Sequence, residues 1–279
     1  MRFHLSHIFP DARFHGLNGY LEVIETIRWG LEALGHQVTV AKNTAETGAV
    51  NIIFGYQMLN EAAVRALPSG TIIYNLEQVA HASPGQMPAI AEYAAEHLRI
   101  WDYSPRNLPV WRSLHPGCQP RLVPIGYAPC LTRIARREED IDVLFYGLPS
   151  DARLGVFRDI CVAGLRAVFA CGIYGRARDE LIARSKIVLN LNLYAGKIFE
   201  IVRVSYLLAN ARAVVANAYA GIEVEPDLRE ALLFAPVDQI VATCARLAQD
   251  DAARLALGQR GLEVMKRRDI RQILSSALA

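Results

Sequence analysis

The sequence predicts an α/β protein with two Rossmann-like domains, each a doubly wound parallel sheet, facing a common cleft. Short apolar segments alternate with amphipathic segments along the chain, as expected for buried strands covered by helices. The alternation stops once, in the charged segment 126–140, and then starts again. The 279 residues suffice for two domains of ordinary size.

Six apolar segments predict the strands of the first domain. A glycine-rich loop, HGLNGY, follows the first of them, and Gly35 stops the amphipathic helix behind that loop. The predicted strands are 3–9, 36–41, 51–55, 71–75, 99–103 and 121–125, and the predicted helices are 21–34, 60–66, 87–97 and 106–114.

The segment GYAPCLTRIARREED, residues 126–140, has no apolar period and a charged end, so it is predicted to be an interdomain linker. The predicted domains are therefore 1–130 and 140–266, with a tail helix in 267–279 that packs back on the N-terminal domain. In the second domain the predicted strands are 142–146, 167–171, 187–192, 213–216 and 232–235, and the predicted helices are 152–163, 178–184, 197–210, 237–249 and 252–265.

Composition excludes several classes of protein. The hydrophobic share of 52% and charged share of 21% predict a folded chain with a sizeable core. The net charge of +2 is too small to indicate binding to nucleic acid or membranes. No apolar run reaches a signal peptide or a membrane span, so a cytoplasmic protein with at most peripheral membrane contact is expected. The five cysteines lack C-x-x-C spacing and are expected to be reduced, mostly buried thiols.

In the first domain, candidate residues on the acceptor side of a ligand follow the predicted strands. The loop HGLNGY contributes His15, Gly16, Asn18 and Gly19, because glycine lets a backbone approach a ligand closely. Two glycines do not make the G-x-G-x-x-G pattern, so a dinucleotide is not indicated. The alternative is a plain turn in which Asn18 caps the next helix.

Candidates for the base or orienting group of the first domain are His15, in the loop HGLNGY, and two carboxylates. Glu77 follows the buried strand 71–75, where it would point toward the ligand edge and deprotonate an acceptor hydroxyl. Asp102 ends the next strand and competes for this role. The alternative for Glu77 is a turn cap or a position in solvent.

The segment 187–217 is the most informative for function. Its first strand ends in Asn190 and Asn192, and its helix carries Lys197, Glu200 and Arg203 at steps of three. Anionic ligands bind outside the carboxyl ends of parallel strands, against a helix N-terminus. The two cations suit a diphosphate and the carboxylate suits sugar hydroxyls. The alternative is the solvated stripe of an amphipathic helix.

Further donor-side candidates lie in three loops of the second domain. Gly147 follows a strand, and Arg153 lies in the first turn of a helix, where a cation is unfavourable unless it binds phosphate. Tyr174 and Gly175, in GIYG, are candidates for stacking on a base and for close backbone approach. Glu223 follows the strand 213–216 and is a candidate for contact with the sugar. The alternative for Arg153 is an exposed arginine. For GIYG it is a hairpin-like turn, and for Glu223 it is a charge in a solvated loop.

No metal site is expected. Asp140 and Asp142 form a D-x-D pattern, but they precede a predicted strand and so lie at the sheet edge away from the ligand. His4 and His7 are three apart on a strand and point to opposite faces.

These motifs together resemble a known family. Residues 142–265 resemble the nucleotide-sugar-binding domain of GT-B glycosyltransferases, in particular bacterial members of the group 1 type. The resemblance rests on YG after the first strand, on GIYG, on KIFEIVRVSYLLANARAVVAN and on the F-x-P-x-D turn in EVEPDLREALLFAPVDQIVATCARLAQD. The first half resembles the acceptor domain more weakly, through HGLNGY, YNLEQ and VPIGY.

The resemblance implies a hexosyltransferase that moves a sugar from a nucleotide-diphosphate sugar to an acceptor hydroxyl, without an obligatory metal or cofactor. It also implies a second glutamate near Leu208, which this chain lacks. Glu200 therefore carries over as the single acidic residue of its helix, with Arg203 and Ser205 beside it. Alternatives are a nucleotide-sugar 2-epimerase and a non-catalytic nucleotide-sugar-binding or partner module. The sequence leaves open the donor base and sugar, the acceptor, the stereochemistry and the oligomeric state.

Overall fold

The structure is a computed structural model that describes residues 1–9, 15–79, 90–192 and 198–279, without the side chains of residues 15–17. The described chain divides into two compact units. The first unit is Met1–Ala128 together with Arg268–Ala279, and the second unit is Pro129–Arg267. Each unit is built around one parallel sheet.

Strands and helices alternate along the described residues. The strands are β1 (Arg2–His7), β2 (Gln37–Lys42), β3 (Val50–Phe54), β4 (Ile72–Asn75), β5 (Arg99–Asp102), β6 (Arg121–Leu122), β7 (Ile141–Tyr146), β8 (Ala167–Ala170), β9 (Ser185–Asn190), β10 (Ala213–Ala218) and β11 (Leu233–Pro236). The helices are α1 (Leu21–Ala33), α2 (Glu61–Arg65), α3 (Ile90–His97), α4 (Leu108–Leu114), α5 (Asp151–Val162), α6 (Gly175–Ala183), α7 (Ile201–Ala209), α8 (Ile240–Gln249), α9 (Asp251–Arg267) and α10 (Ile270–Leu278).

Both sheets have the same kind of strand order. Across the described residues the order is β2-β1-β3-β4-β5-β6 in the first unit and β11-β10-β9-β7-β8 in the second. All neighbouring strands pair in parallel. The order reverses between β1 and β3 in one sheet and between β7 and β9 in the other. These reversals are the topological switch points at which such sheets bind ligands.

The apolar segments identified in the sequence form the centres of the sheets. Every residue of β4 and β7 is buried, as expected for strands covered on both faces. The predicted fold class, two doubly wound α/β domains, is confirmed, and element bounds differ from the predicted ones by a few residues. The largest difference within the described chain is α7, which begins at Ile201 and not at residue 197.

The C-terminal helix α10 packs against α1 within the first unit. Gly30 makes this close packing possible, because a Cβ there would lie 2.7 Å from Leu274 Cδ1 and 3.0 Å from Ile270 Cγ2. Arg121 Nη1 donates a hydrogen bond to the carbonyl oxygen of Ala277 at 2.8 Å. The last residues of the chain therefore complete the core of the unit that the first residues begin.

The segment predicted to be a linker is largely bound to the second unit. Thr132 Oγ1 donates to the carbonyl oxygen of Ala209 at 2.7 Å. The backbone N–H groups of Arg133 and Ile134 both donate to Asn210 Oδ1 at 2.8 Å. The segment has no apolar period because hydrogen bonds to the end of α7 hold it in place. It does not need a stripe of buried apolar side chains.

No helix in the described part of the chain combines the length and the apolarity needed to cross a bilayer. All five cysteines are free thiols. Only Cys118 and Cys244 are buried, whereas Cys161 and Cys171 are exposed, so the prediction of mostly buried thiols was wrong.

Candidate functional site

The switch point of the second unit gathers most of the predicted donor-side residues. β7 ends at Tyr146, β9 ends at Asn190, and these strands are neighbours in the sheet. Two arginines, Arg153 from the first turn of α5 and Arg203 from the first turn of α7, reach the ends of these strands.

Arg203 ties the two strand ends together. Its Nη1 donates to the carbonyl oxygen of Tyr146 at 2.9 Å, and its Nη2 donates to Asn190 Oδ1. The same Nη2 donates to Glu200 Oε2 at 2.5 Å. The guanidinium also lies 5.7 Å from the centre of the Tyr146 ring. The charge is thus fixed at the carboxyl edge of the sheet.

Arg153 is buried at the same edge, with only 3% of its surface exposed. Its Nη1 donates to the carbonyl oxygen of Leu148 at 2.9 Å, and its Nη2 donates to that of Leu191. The guanidinium carbon lies 5.2 Å from the Phe145 ring centre. Because a buried cation is costly unless it is paired, these acceptors explain how the fold tolerates Arg153 at a helix N-terminus.

Glu200 lies between the two arginines. Its Oε1 is 3.7 Å from Arg153 Nη2, and its Oε2 bonds Arg203. Glu200 occupies the N-cap position of α7, just before the helix, where a carboxylate is favourable. Burial, together with the nearby Glu200 charge, raises the pKa of Tyr219 to about 12. Two guanidiniums and one carboxylate give the cluster an excess of positive charge.

Gly147, directly after β7, is required by this arrangement. Its φ of +147° lies in a region that favours glycine. A Cβ at this position would lie 2.8 Å from Arg203 Nη1. A larger residue would therefore displace the guanidinium from the strand end.

The backbones of Asn192 and Glu223 are held by neighbouring segments of the second unit. The N–H of Asn192 donates to Asn217 Oδ1 at 2.8 Å, which links the chain after β9 to β10. The carbonyl oxygen of Glu223 accepts from the N–H of Phe199 at 3.1 Å. Residues 198 and 223 also form an isolated parallel bridge.

Tyr174 and Gly175 stand at the start of α6. Tyr174 occupies the N-cap position, and Gly175 begins the helix with a φ of +56°. Burial raises the pKa of the half-buried Tyr174 phenol, and the charges of Arg178 and Arg203 act in the opposite direction. GIYG therefore forms a helix start beside the arginines and not a hairpin-like turn.

One predicted donor-side residue, Ser205, does not join this cluster. Ser205 is buried within α7, and its hydroxyl donates to the carbonyl oxygen of Val202 at 3.3 Å, so it faces the core and no ligand. The resemblance to GT-B glycosyltransferases had placed it beside Glu200 and Arg203. Lys197 lies outside the described residues.

In the first unit, Glu77 follows β4 as predicted and belongs to a polar cluster. Its Oε1 accepts hydrogen bonds from the Tyr20 phenol and, at 3.4 Å, from Gln57 Nε2. Gln57 Nε2 also donates to the Tyr20 oxygen at 3.1 Å. The residue as a whole is exposed, but protein crowds the carboxyl group. This desolvation raises the pKa of Glu77, and the Tyr20 hydrogen bond partly offsets it.

Asp102, the competing candidate for the base, is the centre of a buried hydrogen-bond network. It is fully buried and accepts from Asn75 Nδ2 at 2.7 Å, from Asn107 Nδ2 at 2.9 Å, from the Ser104 N–H at 2.9 Å and from Trp111 Nε1 at 2.8 Å. Burial raises its pKa to about 6, and these donors oppose that shift. Four donors fill its acceptor sites, so it is unsuited to bind an acceptor or take its proton.

The loop HGLNGY forms a 3₁₀ helix, His15–Tyr20. Helix α1 then starts at Leu21 with Tyr20 at the N-cap position, so Asn18 is not the cap. The side chain of His15, a predicted base, lies outside the described part of the structure, as do the surroundings of Gly16, a predicted loop glycine. Asn18 and Gly19 are half-buried, and a Cβ at Gly19 would meet no atom within 4 Å.

Sequence reasoning missed Tyr20, Gln57 and Tyr219. Gln57 follows β3 as Glu77 follows β4, so the rule that selected Glu77 would also have found Gln57. Tyr20 ends the loop that was singled out for its glycines. Tyr219 follows β10 directly.

The described residues contain no group of three His, Cys, Asp or Glu side chains arranged to hold a metal ion. The D-x-D carboxylates form ion pairs instead. Asp142 lies 3.0 Å from Arg166 Nη2 and 2.9 Å from Lys186 Nζ, and Asp140 pairs with Arg184.

No protein-family model matches this sequence, and no functionally curated protein matches it either. Solved structures do. HepE from Anabaena, in complex with UDP and glucose, aligns with a TM-score of 0.64 and 10% identity over 100% of this chain and 99% of HepE. Sucrose-phosphate synthase from Thermosynechococcus elongatus aligns with a TM-score of 0.63 and 13% identity, over 99% of this chain and 98% of the synthase.

WaaG, a glycosyltransferase involved in lipopolysaccharide biosynthesis, aligns with a TM-score of 0.55 and 12% identity over 99% of this chain and 98% of WaaG. The chain therefore has the GT-B fold of glycosyltransferases, as the resemblance predicted. At these identities the likeness shows the fold alone.

Proposed function

We propose that the protein is a glycosyltransferase that moves a sugar from a nucleotide-diphosphate sugar to an acceptor hydroxyl, with no obligatory metal. The observation that carries the proposal is the cluster of Arg153, Glu200 and Arg203 at the switch point of the second sheet. The GT-B fold supports it, as does the complex of HepE with UDP and glucose.

The charge of the cluster suits a departing nucleoside diphosphate. When the bond between the sugar C1 and the diphosphate oxygen breaks, negative charge develops on the terminal phosphate. Arg153 and Arg203 would stabilise that charge, and their fixed hydrogen bonds mean that little reorganisation is needed. Glu200 would accept hydrogen bonds from donor hydroxyls, and Asn190 and Asn192 would line the donor site.

The remaining proposed donor contacts rest on the positions of the residues in the second unit. Tyr174 would stack on the base, Gly175 and Gly147 would allow close approach, and Glu223 would contact the sugar. Lys197 stays a candidate for the diphosphate on sequence grounds.

On the acceptor side, the proposal assigns the base to Glu77 in the first unit. A general base is most effective when its pKa lies near the working pH, and desolvation raises the pKa of Glu77 in that direction. His15, Gly16, Asn18 and Gly19 stay candidates for acceptor contacts on sequence grounds.

A non-catalytic module that binds nucleotide sugars is the second candidate. One observation favours it: α7, IVRVSYLLA, contains no acidic residue, and Glu200, directly before the helix, is already paired with two arginines. Such a protein would bind a nucleotide sugar and leave it intact.

The test is to incubate the protein with UDP-, GDP-, TDP- and CMP-sugars and follow the donors by NMR, with and without a mixture of hydroxyl acceptors. We expect wild type to release the nucleotide from at least one donor. Arg203→Met removes a stabilising charge and should lower release by about 10²–10³-fold. Arg158→Met is the matched control, because Arg158 is an exposed arginine on α5, 77% exposed at its side chain.

Donors that bind and stay intact would favour the non-catalytic module. Conversion of a donor to its 2-epimer without acceptor would favour an epimerase. Unchanged release in Arg203→Met would contradict the donor site.

A further inference from the structure

The two carboxylate oxygens of Glu77 have different surroundings. Oε1 accepts from Tyr20 and Gln57. Oε2 has no hydrogen-bond donor among the residues that the structure describes, and the residue is exposed at the surface. One oxygen is therefore held by the protein and the other is open to a ligand.

We propose that Tyr20, assisted by Gln57, is a positioning residue that fixes Oε1 of Glu77 and so presents Oε2 to the acceptor hydroxyl. The proposal rests on the proposed function, because it specifies which oxygen of the proposed base, Glu77, takes the proton in that reaction.

Three neighbouring strands of the first sheet bring these side chains together. Tyr20 ends the 3₁₀ helix that precedes α1, Gln57 follows β3, and Glu77 follows β4, all around the switch point next to β1. Tyr20 is 7% exposed, so packing holds its ring. A carboxylate supported in this way is held close to one geometry.

The backbone of Glu77 is fixed as well. Its carbonyl oxygen accepts from Asn75 Nδ2 at 2.9 Å and from Asn107 Nδ2 at 2.8 Å. Both amides also donate to the buried Asp102. The base is thus held at its main chain by one network and at its side chain by another.

The step balances without any further reactant. The O–H bond of the acceptor breaks and its proton passes to Glu77 Oε2. The acceptor oxygen bonds C1 of the sugar, and the bond from C1 to the diphosphate breaks with its electron pair leaving on the diphosphate. Tyr20 stays protonated, because burial and the nearby Glu77 charge hold the pKa of its phenol well above its usual value.

Burial and the Tyr20 hydrogen bond set the pKa of Glu77, and several polar groups lie around it. Tyr20 faces it from the start of α1 and Gln57 from the end of β3. The charges of Asp102 and Glu77 help to raise the pKa of the nearby Tyr56, and Tyr103 helps to raise the pKa of Tyr20. Of these, the Tyr20 hydrogen bond lowers the pKa of Glu77. Its loss should therefore raise that pKa and shift the acidic limb of kcat/KM to higher pH.

The experiment compares Tyr20→Phe with Tyr93→Phe, which removes a phenol oxygen from α3 in the same unit. Three quantities are measured in the full chain: the carboxyl titration of Glu77 by NMR with labelled glutamate, the affinity for UDP, and the pH profile of donor turnover. Glu77→Gln identifies the NMR signal of Glu77 by its disappearance from the spectrum. This variant should also lower kcat by about 10²–10⁴-fold.

We expect Tyr20→Phe to raise the pKa of Glu77, move the acidic limb upward and lower kcat about tenfold or more, with UDP affinity unchanged. Tyr93→Phe should match wild type. A Tyr20→Phe variant with the wild-type titration and pH profile overturns the role of Tyr20, whereas turnover by wild type would still support the proposed function. Wild type that turns over no donor overturns the proposed function and the role of the base, and the titration then still decides whether Tyr20 holds Glu77.

Discussion

At the scale of single residues, carboxylates lie at or just after the strand ends of the first unit, and their surroundings decide their roles. Asp102 ends β5 and Glu77 lies two residues after the end of the neighbouring strand β4, yet Asp102 is saturated by four donors and Glu77 keeps an open oxygen. A position near a strand end made both residues candidates, and it does not show which of them has a free oxygen. The donors on Asp102 come from positions 2 to 27 residues away, which local patterns do not reveal.

Asp102 gives a pH dependence of stability whose sign follows from its raised pKa. The carboxyl titrates near 3.9 when unfolded and at about 6 when folded, so the folded state favours its protonated form. That contribution is fully present below about pH 4 and is lost as pH rises through about 6, a change on the order of 3 kcal/mol.

The measurement is urea unfolding of wild type and Asp102→Asn at about pH 4 and about pH 7. We expect the stability advantage of wild type over Asp102→Asn to shrink at the higher pH. An advantage that is equal at both pH values would contradict the assigned pKa of Asp102.

At the scale of elements, α9 shows why some helices need glycine on their buried face. Gly258 lies against the backbone of Ala211, where a Cβ would overlap the carbonyl oxygen. A Cβ at Gly261 would lie 2.8 Å from the carbonyl oxygen of Ala231. The helix therefore packs directly on backbone, which cannot move aside as a flexible side chain can.

Gly258→Ala should destabilise the protein by about 1–3 kcal/mol or more, through overpacking. Gly155→Ala is the matched control, because Gly155 lies in α5 at a position where a Cβ would meet no atom within 4 Å. Alanine favours helix over glycine, so the control should be neutral or stabilising by about 0.5–1 kcal/mol. Denaturant unfolding of both variants checks this, and equal effects would show that α9 can shift.

Most elements were predictable because their signals are local. Apolar runs such as Ile72–Asn75 and helix stops such as Gly35 depend on neighbouring residues alone. The start of α7 was not predictable, because its apolar period extends back to residue 198, whereas the structure pairs residues 198 and 223 in a bridge. The candidate site was predicted in part: the charged start of the helix after β9 pointed to Arg203, and the end of β4 pointed to Glu77. The 57-residue separation of Tyr20 from Glu77 left no sequence signal.

At the scale of the whole molecule, the two units repeat one strand order and place polar clusters at corresponding switch points. The second unit carries the excess of positive charge, with Arg153 and Arg203 around Glu200. The first unit carries the desolvated carboxylate Glu77 with its tyrosine. This division of charge is what a reaction with an anionic donor and a hydroxyl acceptor requires.

The central claim, that the arginine cluster of the second unit binds the nucleoside diphosphate, is tested most directly by calorimetric titration of UDP, GDP and TDP. The proteins are wild type, Arg203→Met and the surface control Arg158→Met. We predict one equivalent of at least one of these nucleotides bound by wild type and by Arg158→Met, and an affinity for it at least about tenfold weaker in folded Arg203→Met, as expected for the loss of a charge-assisted contact. Equal affinity in Arg203→Met and wild type, or no binding of any of the three nucleotides by wild type, would contradict it.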